Sequence, residues 1–155
     1  MAEIGIKELK ATASSVIDEV EGGSAYVVTK RGRPAAVLLP VEEAEDHVLA
    51  NADEYVRQRR LARADYAKRR TVSLEDGGAD RDRVRRALER LAADVARPGR
   101  ISGKSVKTIR GADDTFHRLR IGDHRVMYDV IDTDHVILVL GILDRADLER
   151  WLRSR

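Results

Sequence analysis

The chain has 155 residues, no cysteine and a formal net charge of +2. This length allows one domain or two small ones, and a lobe of about 75 residues has only a thin core. Without cysteine there is no disulfide framework and no thiolate metal site. No run of about 18 apolar residues is present, and the first ten residues contain no apolar signal core. We therefore expect a soluble, cytoplasmic protein that does not bind a membrane.

The charge is unevenly distributed along the chain. Residues 1–78 contain 12 Lys and Arg against 14 Asp and Glu, a balance of −2. Residues 79–155 contain 17 against 13, a balance of +4. The clustered arginines of the basic half indicate either a nucleic-acid partner or an ordinary charged surface, and composition does not decide between the two.

The first half opens with a short apolar-alternating segment, which precedes a helical pattern ending at two glycines. The apolar positions of that helix are Leu9, Ala13, Val16, Ile17 and Val20. Two apolar runs, 25–30 and 35–39, flank RGRP and predict a β-hairpin. After Pro40 the pattern predicts one long helix. Its apolar residues become sparse beyond Val56, so we expect its second half to be exposed unless a partner covers it.

The second half starts after Gly77-Gly78, the strongest candidate for a domain boundary. Residues 80–95 predict an amphipathic helix. Its apolar stripe consists of Val84, Ala87, Leu88, Leu91 and Val95. A loop, a short strand and a hairpin at 116–132 follow. The run HVILVLGIL is typical of a strand that is buried on both faces or central in its sheet, and a short helix ends the chain.

The hairpin FHRLRIGDHRVMYDVID places three arginines together. Arg118 and Arg120 alternate with apolar residues, so they share one face of the first strand. If Gly122-Asp123 is a two-residue turn, Arg120 lies opposite Arg125. Like charges directly opposite each other destabilise a sheet, so we expect an anion to compensate. The alternative is an ordinary half-exposed strand that happens to carry arginines.

The stretch ELKATASSVIDEVEGGSAYVVTKRGRPAAVLLPVEEAE resembles the Phd/YefM antitoxins. That family has a strand and a helix, an apolar strand, Thr-Lys/Arg-x-Gly, a second apolar strand and Pro-x-Glu-Glu. The tail YAKRRTVSLED is similar to the family's toxin-binding arm. The resemblance implies a homodimer that binds operator DNA and represses its own promoter. The matching DNA-contact positions are Lys7, Lys10, Thr12, Ser14, Lys30, Arg31 and Arg33.

The stretches RVRRALERLAADVARPGR, RLRIGDHRVMYDV and HVILVLGILDRADL resemble the RelE/ParE toxin superfamily. RelE-type toxins cut mRNA on the ribosome, and cations stabilise the charged phosphoryl transition state. The resemblance implies that the catalytic residues are Arg118, Arg120, Arg125 and Arg145, and that no metal or other cofactor takes part. A ParE-like gyrase inhibitor, which needs no catalytic residues, is an alternative reading.

The toxin-like part is shorter than its family, because nothing after Gly78 can form the usual first strand and helix. Either RTVSLE supplies a replacement strand or the lobe is incomplete. In the first hypothesis, residues 54–76 cover the lobe and their carboxylates mask its arginines. Those carboxylates are Glu75 and Asp76, with Asp65 as a further candidate. In the second, the protein is a DNA-binding regulator with a dead toxin-like lobe.

Both hypotheses predict an α+β protein, with an N-terminal α/β dimerisation domain, a long helix and arm, and a small antiparallel sheet with flanking helices. The predicted divisions are 1–52, 53–78 and 79–155. Several further polar residues are read as structural. They are His117 and His124 opposite the arginines, Trp151 on the last helix, and Asp144 and Asp147 as capping or ion-pair partners.

Overall fold

A computed structural model describes residues 1–74, 79–95 and 106–154. Its contacts divide the chain into two compact units, Met1–His47 and Val48–Arg155. Each unit combines helices with a sheet, so the predicted α+β class is confirmed. No helix in the described part of the chain is long and apolar enough to cross a membrane.

The first unit is a three-stranded sheet with one helix packed against it. Its elements are β1 (Ala2–Gly5), α1 (Ile6–Glu21), β2 (Tyr26–Lys30) and β3 (Arg33–Leu38). β2 lies in the middle, parallel to β1 and antiparallel to β3. The small core consists of Ile4, Val16, Val20 and Val28. Only two residues of α1 are fully buried, because the helix has a single thin sheet to pack against.

The predicted β-hairpin is confirmed, with a tighter turn than expected. Lys30 pairs with Arg33, so only Arg31 and Gly32 form the turn. Their φ angles are 55° and 73°, the left-handed backbone of a two-residue turn that matches the twist of the strands. Pro34 lies within β3, and it is tolerated because β3 is an edge strand.

The single long helix expected after Pro40 is wrong, because the chain forms two helices. They are α2 (Val41–Asn51) and α3 (Asp53–Ala67). Ala52 between them is extended, with φ −67° and ψ 129°. Its carbonyl accepts hydrogen bonds from the amides of Tyr55 and Val56, both at 3.0 Å. Asp53 and Glu54 follow in the first turn of α3, where negative charge stabilises a helix N-terminus.

The second unit adds a four-stranded antiparallel meander with flanking helices. Its remaining elements are α4 (Ala79–Val95), β4 (Val106–Arg110), β5 (Thr115–Ile121), β6 (His124–Ile131), β7 (Val136–Asp144) and α5 (Arg145–Arg153). The expected boundary at Gly77-Gly78 lies outside the described residues. The replacement strand expected from RTVSLE is not formed by Thr71–Leu74, which are described and carry no strand pairing.

Alternation along the strands gives this sheet two different faces. One, the α3 face, carries Phe116, Met127, Leu138 and Leu140, and packs with α3, α5 and the end of α2. The other, the α4 face, carries Leu119, Val126 and Tyr128, and packs with Val84, Leu88 and Leu91 of α4. Strand β7 supplies apolar residues to both clusters, as its sequence predicted, but it lies at the edge of the sheet.

Candidate functional site

The β5–β6 hairpin has the predicted register. Arg120 pairs directly with Arg125 across a two-residue turn at Gly122-Asp123. Gly122 has φ 55°, which glycine adopts without strain. Arg118 pairs with Met127. Because side chains alternate along each strand, the three arginines lie on the α3 face of the sheet, together with Phe116 and Met127. The hairpin therefore brings three guanidinium groups together, as the sequence predicted.

These arginines lie inside the unit instead of facing solvent. Arg118 is 2% exposed and Arg125 is 3% exposed. Arg125 donates hydrogen bonds to the carbonyls of Gly122 at 2.8 Å and His124 at 3.1 Å, so part of its function is to hold the turn. Arg120 is half-buried, and its Nε has no hydrogen-bond partner in the described part of the chain. In this conformation, the α3 face is closed to a large anionic substrate.

Arg59 of α3 is the main residue that attaches this helix to the sheet. It is fully buried and forms a two-point ion pair with Asp114, at 2.7 Å from Nε and 2.9 Å from Nη2. Its guanidinium carbon lies 3.9 Å from the centre of the Phe116 ring. It also donates to the carbonyls of Leu49 and Ala50. Burial is tolerated because nearly every N–H of the group has a partner.

Arg63 repeats this arrangement one turn further along α3. It forms a two-point ion pair with Asp129, at 2.7 Å from Nε and 3.0 Å from Nη2. It also bonds to Asp114 at 2.7 Å and to the Thr115 carbonyl at 2.9 Å. Asp114 thus bridges two arginines that are one helical turn apart, and the four charged side chains form a network.

The network shifts the ionisation of its members in the expected directions. Hydrogen bonds from Arg59, and then from Arg63, hold the pKa of the Asp114 carboxyl below its usual range, against the opposing effect of burial. The hydrogen bond from Arg63 to Asp129 raises the pKa of the Arg63 guanidinium. Burial raises the pKa of nearby Tyr55 to about 12. At physiological pH, Asp114 and Arg63 are therefore charged and Tyr55 is neutral.

The acidic residues expected to mask the arginines are Glu75, Asp76 and Asp65. Asp65 is exposed and lines a groove beside β7 with Tyr66, while Glu75 and Asp76 lie outside the described residues. Where α3 meets the sheet, the helix supplies arginines and the sheet side supplies aspartates. Further along the arm, the Tyr66 hydroxyl bonds to Asp134, and Leu74 packs against the cluster on the α4 face.

Arg145, the fourth expected catalytic residue, is placed elsewhere in the unit. Its side chain pairs with Glu149 at 3.1 Å, and its backbone N–H donates to the Asp123 carbonyl at 2.8 Å. It lines a cleft of about 610 Å³ whose wall also includes Arg83 and His124. Arg145 is thus anchored to the hairpin turn, while the other three arginines lie on the α3 face of the sheet.

The polar residues read as structural have the following positions. His117 contacts Thr108 at 3.0 Å and lies 5.3 Å from the Tyr128 ring, on the α4 face. His124 pairs with Asp144 at 2.7 Å. Asp144 occupies the N-cap position of α5, but its side chain forms no capping bond, because it faces His124 instead. Trp151 packs against the cluster on the α3 face, and Asp147 pairs with Arg150 at 3.0 Å.

The residues expected to contact DNA are all exposed in the first unit. They are Lys7, Lys10, Thr12, Ser14, Lys30, Arg31 and Arg33. Gly5 pairs with Thr29, so the start of α1 and the β2–β3 turn lie at the same end of the sheet. Thr12 breaks the helical backbone, with φ −126° and ψ 23°, and its hydroxyl donates to the Glu8 carbonyl at 2.7 Å. The basic turn and the first turn of α1 therefore form one exposed end.

Sequence reasoning missed the charged network. Arg59 and Arg63 have the spacing of one helical face, and this is the signal that was available. It was overlooked because α3 has so few apolar residues that it reads as a solvent-exposed helix. Asp129, on strand β6, pairs with Arg63.

Comparison with known families agrees with the two-part organisation. The family model described as "Antitoxin Phd_YefM, type II toxin-antitoxin system" matches residues 1–94. The model described as "ParE toxin of type II toxin-antitoxin system, parDE" matches residues 56–149. The two matches overlap over 56–94, which includes most of α3 and nearly all of α4.

Among curated proteins, the chain is similar to VapB5, named as a candidate antitoxin, from two strains of Mycobacterium tuberculosis, CDC 1551 / Oshkosh and ATCC 25618 / H37Rv. Each is 30% identical over 82 residues, which is 53% of this chain and 94% of the relative. No solved structure matches. The chain thus belongs to the Phd/YefM antitoxin family through residues 1–94 and to the ParE toxin family through residues 56–149, and it is a fused type II toxin–antitoxin protein.

Proposed function

We propose that this toxin–antitoxin protein neutralises itself, with helix α3 holding the ParE-type lobe in a covered state. The observation that carries the proposal is the burial of Arg59, which lies in the segment 56–94 matched by both family models and pairs at two points with Asp114 beside the four-stranded sheet. A helix that merely linked two domains would have no reason to bury a charge in one of them.

The covered state is stable because opening it is costly. Moving α3 away would separate Arg59 from Asp114 and Arg63 from Asp129. Arg59 would lose its two-point bond to Asp114 and its contact with the Phe116 ring, although both charged groups would regain hydration. Opening would also expose Phe116 and Met127. The lobe is therefore inactive by default, and any activity of its arginines requires a partner or a modification that displaces α3.

The target of the uncovered lobe has two candidates. Ribosome-dependent cleavage of mRNA would use Arg118, Arg120 and Arg125 on the exposed face, with Arg145 nearby, to stabilise the charged phosphoryl transition state. Inhibition of DNA gyrase is the second candidate. The match of residues 56–149 to a ParE model favours it, as does the use of Arg125 to hold a turn.

The antitoxin-type unit is proposed to bind operator DNA and repress its own promoter. Support comes from the exposed end that combines Lys7 and Lys10 with the basic turn. Arg31 is held there in a left-handed backbone conformation, which projects the tight turn from the sheet. Cations, hydroxyls and turn amides are the groups that contact DNA phosphates.

Dimerisation through the same unit is part of the proposal. The apolar side chains of Ile17, Val37 and Val41 are 45%, 52% and 49% exposed. Residues Arg33–Val37 of β3 are all exposed, although most of them are apolar. A two-fold dimer would bury this surface, deepen a core of four residues and double the basic end. We expect a dimer by sedimentation at micromolar concentration.

Neutralisation is tested by loosening α3 in the full-length protein. Arg59→Ala with Arg63→Ala removes both attachment points, and Arg57→Ala with Arg60→Ala, which are exposed on the same helix, is the matched control. Both variants are expressed in bacteria. We expect growth arrest from the first only, and ribosome-dependent mRNA cleavage and gyrase supercoiling assays then identify the target. Normal growth despite fast amide exchange in α3 would favour the alternative, a DNA-binding regulator with a dead lobe.

DNA binding is tested separately with the protein's own promoter duplex. Lys10→Ala with Lys30→Ala should weaken binding and flatten its dependence on salt, because fewer counterions are released from the phosphates. The control is Lys68→Ala, an exposed lysine beyond the end of α3. Unchanged affinity for the double variant would place the DNA site elsewhere.

A further inference from the structure

Helix α4 carries a stripe of three exposed arginines, Arg83, Arg86 and Arg90. Their spacing of three and four positions puts them on one side of the helix, about 4.5 and 6 Å apart along its axis. They line a groove of about 640 Å³, and Ile121 and Ala93 form part of its wall. We call this surface the arginine stripe.

The described ion pairs of this helix involve residues outside the stripe, while Glu89 lines the same groove and Arg83 also lines the cleft that contains Asp123, Asp144 and Glu149. Arg85, which lies outside the stripe, pairs with Asp82 at 3.6 Å and with Glu89 at 4.0 Å. Arg86 Nε donates to the backbone carbonyl of Asp82 at 3.3 Å, which is a contact without opposing charge. No ion pair joins Arg83, Arg86 or Arg90 to a side chain that the structure describes, a set that leaves out those of residues 79, 80, 94 and 95 of this helix.

The stripe is also independent of the covered arginines. The apolar side of α4, with Val84, Leu88 and Leu91, packs on the α4 face of the sheet, whereas α3 lies against the opposite face. Attachment of α3 therefore leaves the stripe accessible, and a ligand can reach it while the lobe is neutralised. It is a different surface from the one through which the lobe would act as a toxin.

We propose that the arginine stripe binds the phosphate backbone of double-stranded DNA, as a second DNA contact of the protein. Tandem guanidinium groups match a row of phosphates in charge and in hydrogen-bonding geometry. DNA is favoured over an acidic protein because the same chain carries the antitoxin-type unit. This step rests on the proposed function: once that unit is on a duplex, the stripe meets the same duplex at high effective concentration.

The test measures the salt dependence of DNA binding by the full-length protein, on its own promoter and on an unrelated duplex. Each lost phosphate contact lowers the slope of log affinity against log salt by about 0.9. Changing all three stripe residues to Gln should therefore reduce the slope by about 2–3 on both duplexes. The matched control changes three exposed arginines outside the stripe, Arg57, Arg60 and Arg153, to Gln, and should leave the slope nearly unchanged.

Three further arms separate the possible outcomes. Changing the stripe residues to Lys should restore most of the slope, which excludes a folding defect as the cause. Lys10→Ala with Lys30→Ala reports on the antitoxin-type unit alone. If that variant loses binding while the Gln variant keeps the wild-type slope, the stripe proposal is wrong and the proposed function stands. The stripe proposal would also be wrong if the Gln variant lost more affinity for single-stranded RNA or polyglutamate than for duplex DNA.

Discussion

The two faces of the four-stranded sheet are covered in different ways. On the α4 face, Val84, Leu88 and Leu91 pack against an apolar surface. On the α3 face, apolar packing at Tyr55 is supplemented by Arg59 and Arg63, which pair with aspartates of the sheet. Apolar packing is non-directional, whereas a two-point ion pair accepts only one register. The difference shows that ion pairs fix the position of α3, whereas burial of apolar side chains positions α4.

This difference matters for the function, because only the α3 face carries the three hairpin arginines. A helix held by hydrophobic packing alone would be removed only by unfolding. A helix held by a charge network can be released by a change in that network. Such a helix also binds only a lobe whose aspartates lie opposite its arginines. The following predictions test the contrast, beginning with the largest expected effect.

Arg59→Ala should have the largest effect on stability. It leaves Asp114 with one arginine fewer and opens a space beside Phe116. We expect the free energy of unfolding of the second unit to fall by about 3–5 kcal/mol in urea titrations. Arg60→Ala, on the exposed side of the same helix, should change it by less than about 0.5 kcal/mol. Equal, small effects of both changes would show that α3 is not attached through Arg59.

Leu88→Ala tests the apolar face. Leu88 is 8% exposed and packs between α4 and the sheet. We expect a loss of about 2–3 kcal/mol from lost transfer energy and the cavity that remains. Because no charge is involved, the loss should be the same at low and high salt. A salt-dependent loss would mean that charge contributes to the packing of α4 as well.

Arg125→Gln should cost about 1–2 kcal/mol, although repulsion from Arg120 predicts that the change is neutral. Arg125 is buried and donates to two turn carbonyls, and glutamine is too short to reach both. Thermal unfolding of the variant measures this, with Arg120→Gln as the comparison. A neutral result for Arg125→Gln would restore the simpler reading of three repelling surface arginines.

Acid should weaken the α3 face selectively, and this is the smallest effect. The pKa of Asp114 is lower in the folded protein than its usual value near 3.9. Its contribution to stability is therefore present above about pH 4 and disappears as pH falls through the lower, folded pKa. The difference in unfolding free energy between wild type and Asp114→Asn should shrink below about pH 4.

Much of this architecture could be predicted from the sequence, since it depends on local patterns. The β2–β3 and β5–β6 hairpins follow from two-residue turns between alternating strands, and α4 follows from its apolar stripe. The break at Ala52 could not be predicted, because nothing in the helical pattern of 41–67 marks it. It is favoured by tertiary packing, since Ala52 and its neighbours Leu49 and Ala50 are buried in the cluster on the α3 face.

The candidate site could be predicted only in part. The shared face of Arg118, Arg120 and Arg125 follows from strand alternation, but their burial depends on the helices that pack on that face, including the position of α3. That position is set by ion pairs between residues far apart in sequence, such as Arg59 with Asp114 and Arg63 with Asp129. Charged residues on a helix are usually solvated, so their pairing with a distant sheet has no local signal. The attachment of α3 through arginines therefore could not be predicted from its own sequence.

The central claim is that α3 is an integral cover of the ParE-type lobe, and amide hydrogen exchange of the full-length protein tests it most directly. We predict that amides in the middle of α3, around Arg59 and Arg63, exchange as slowly as those of β5 and β6, and that Arg59→Ala accelerates exchange in α3 first. Fast exchange throughout α3 in the wild-type protein, with β5 and β6 still protected, would contradict the account.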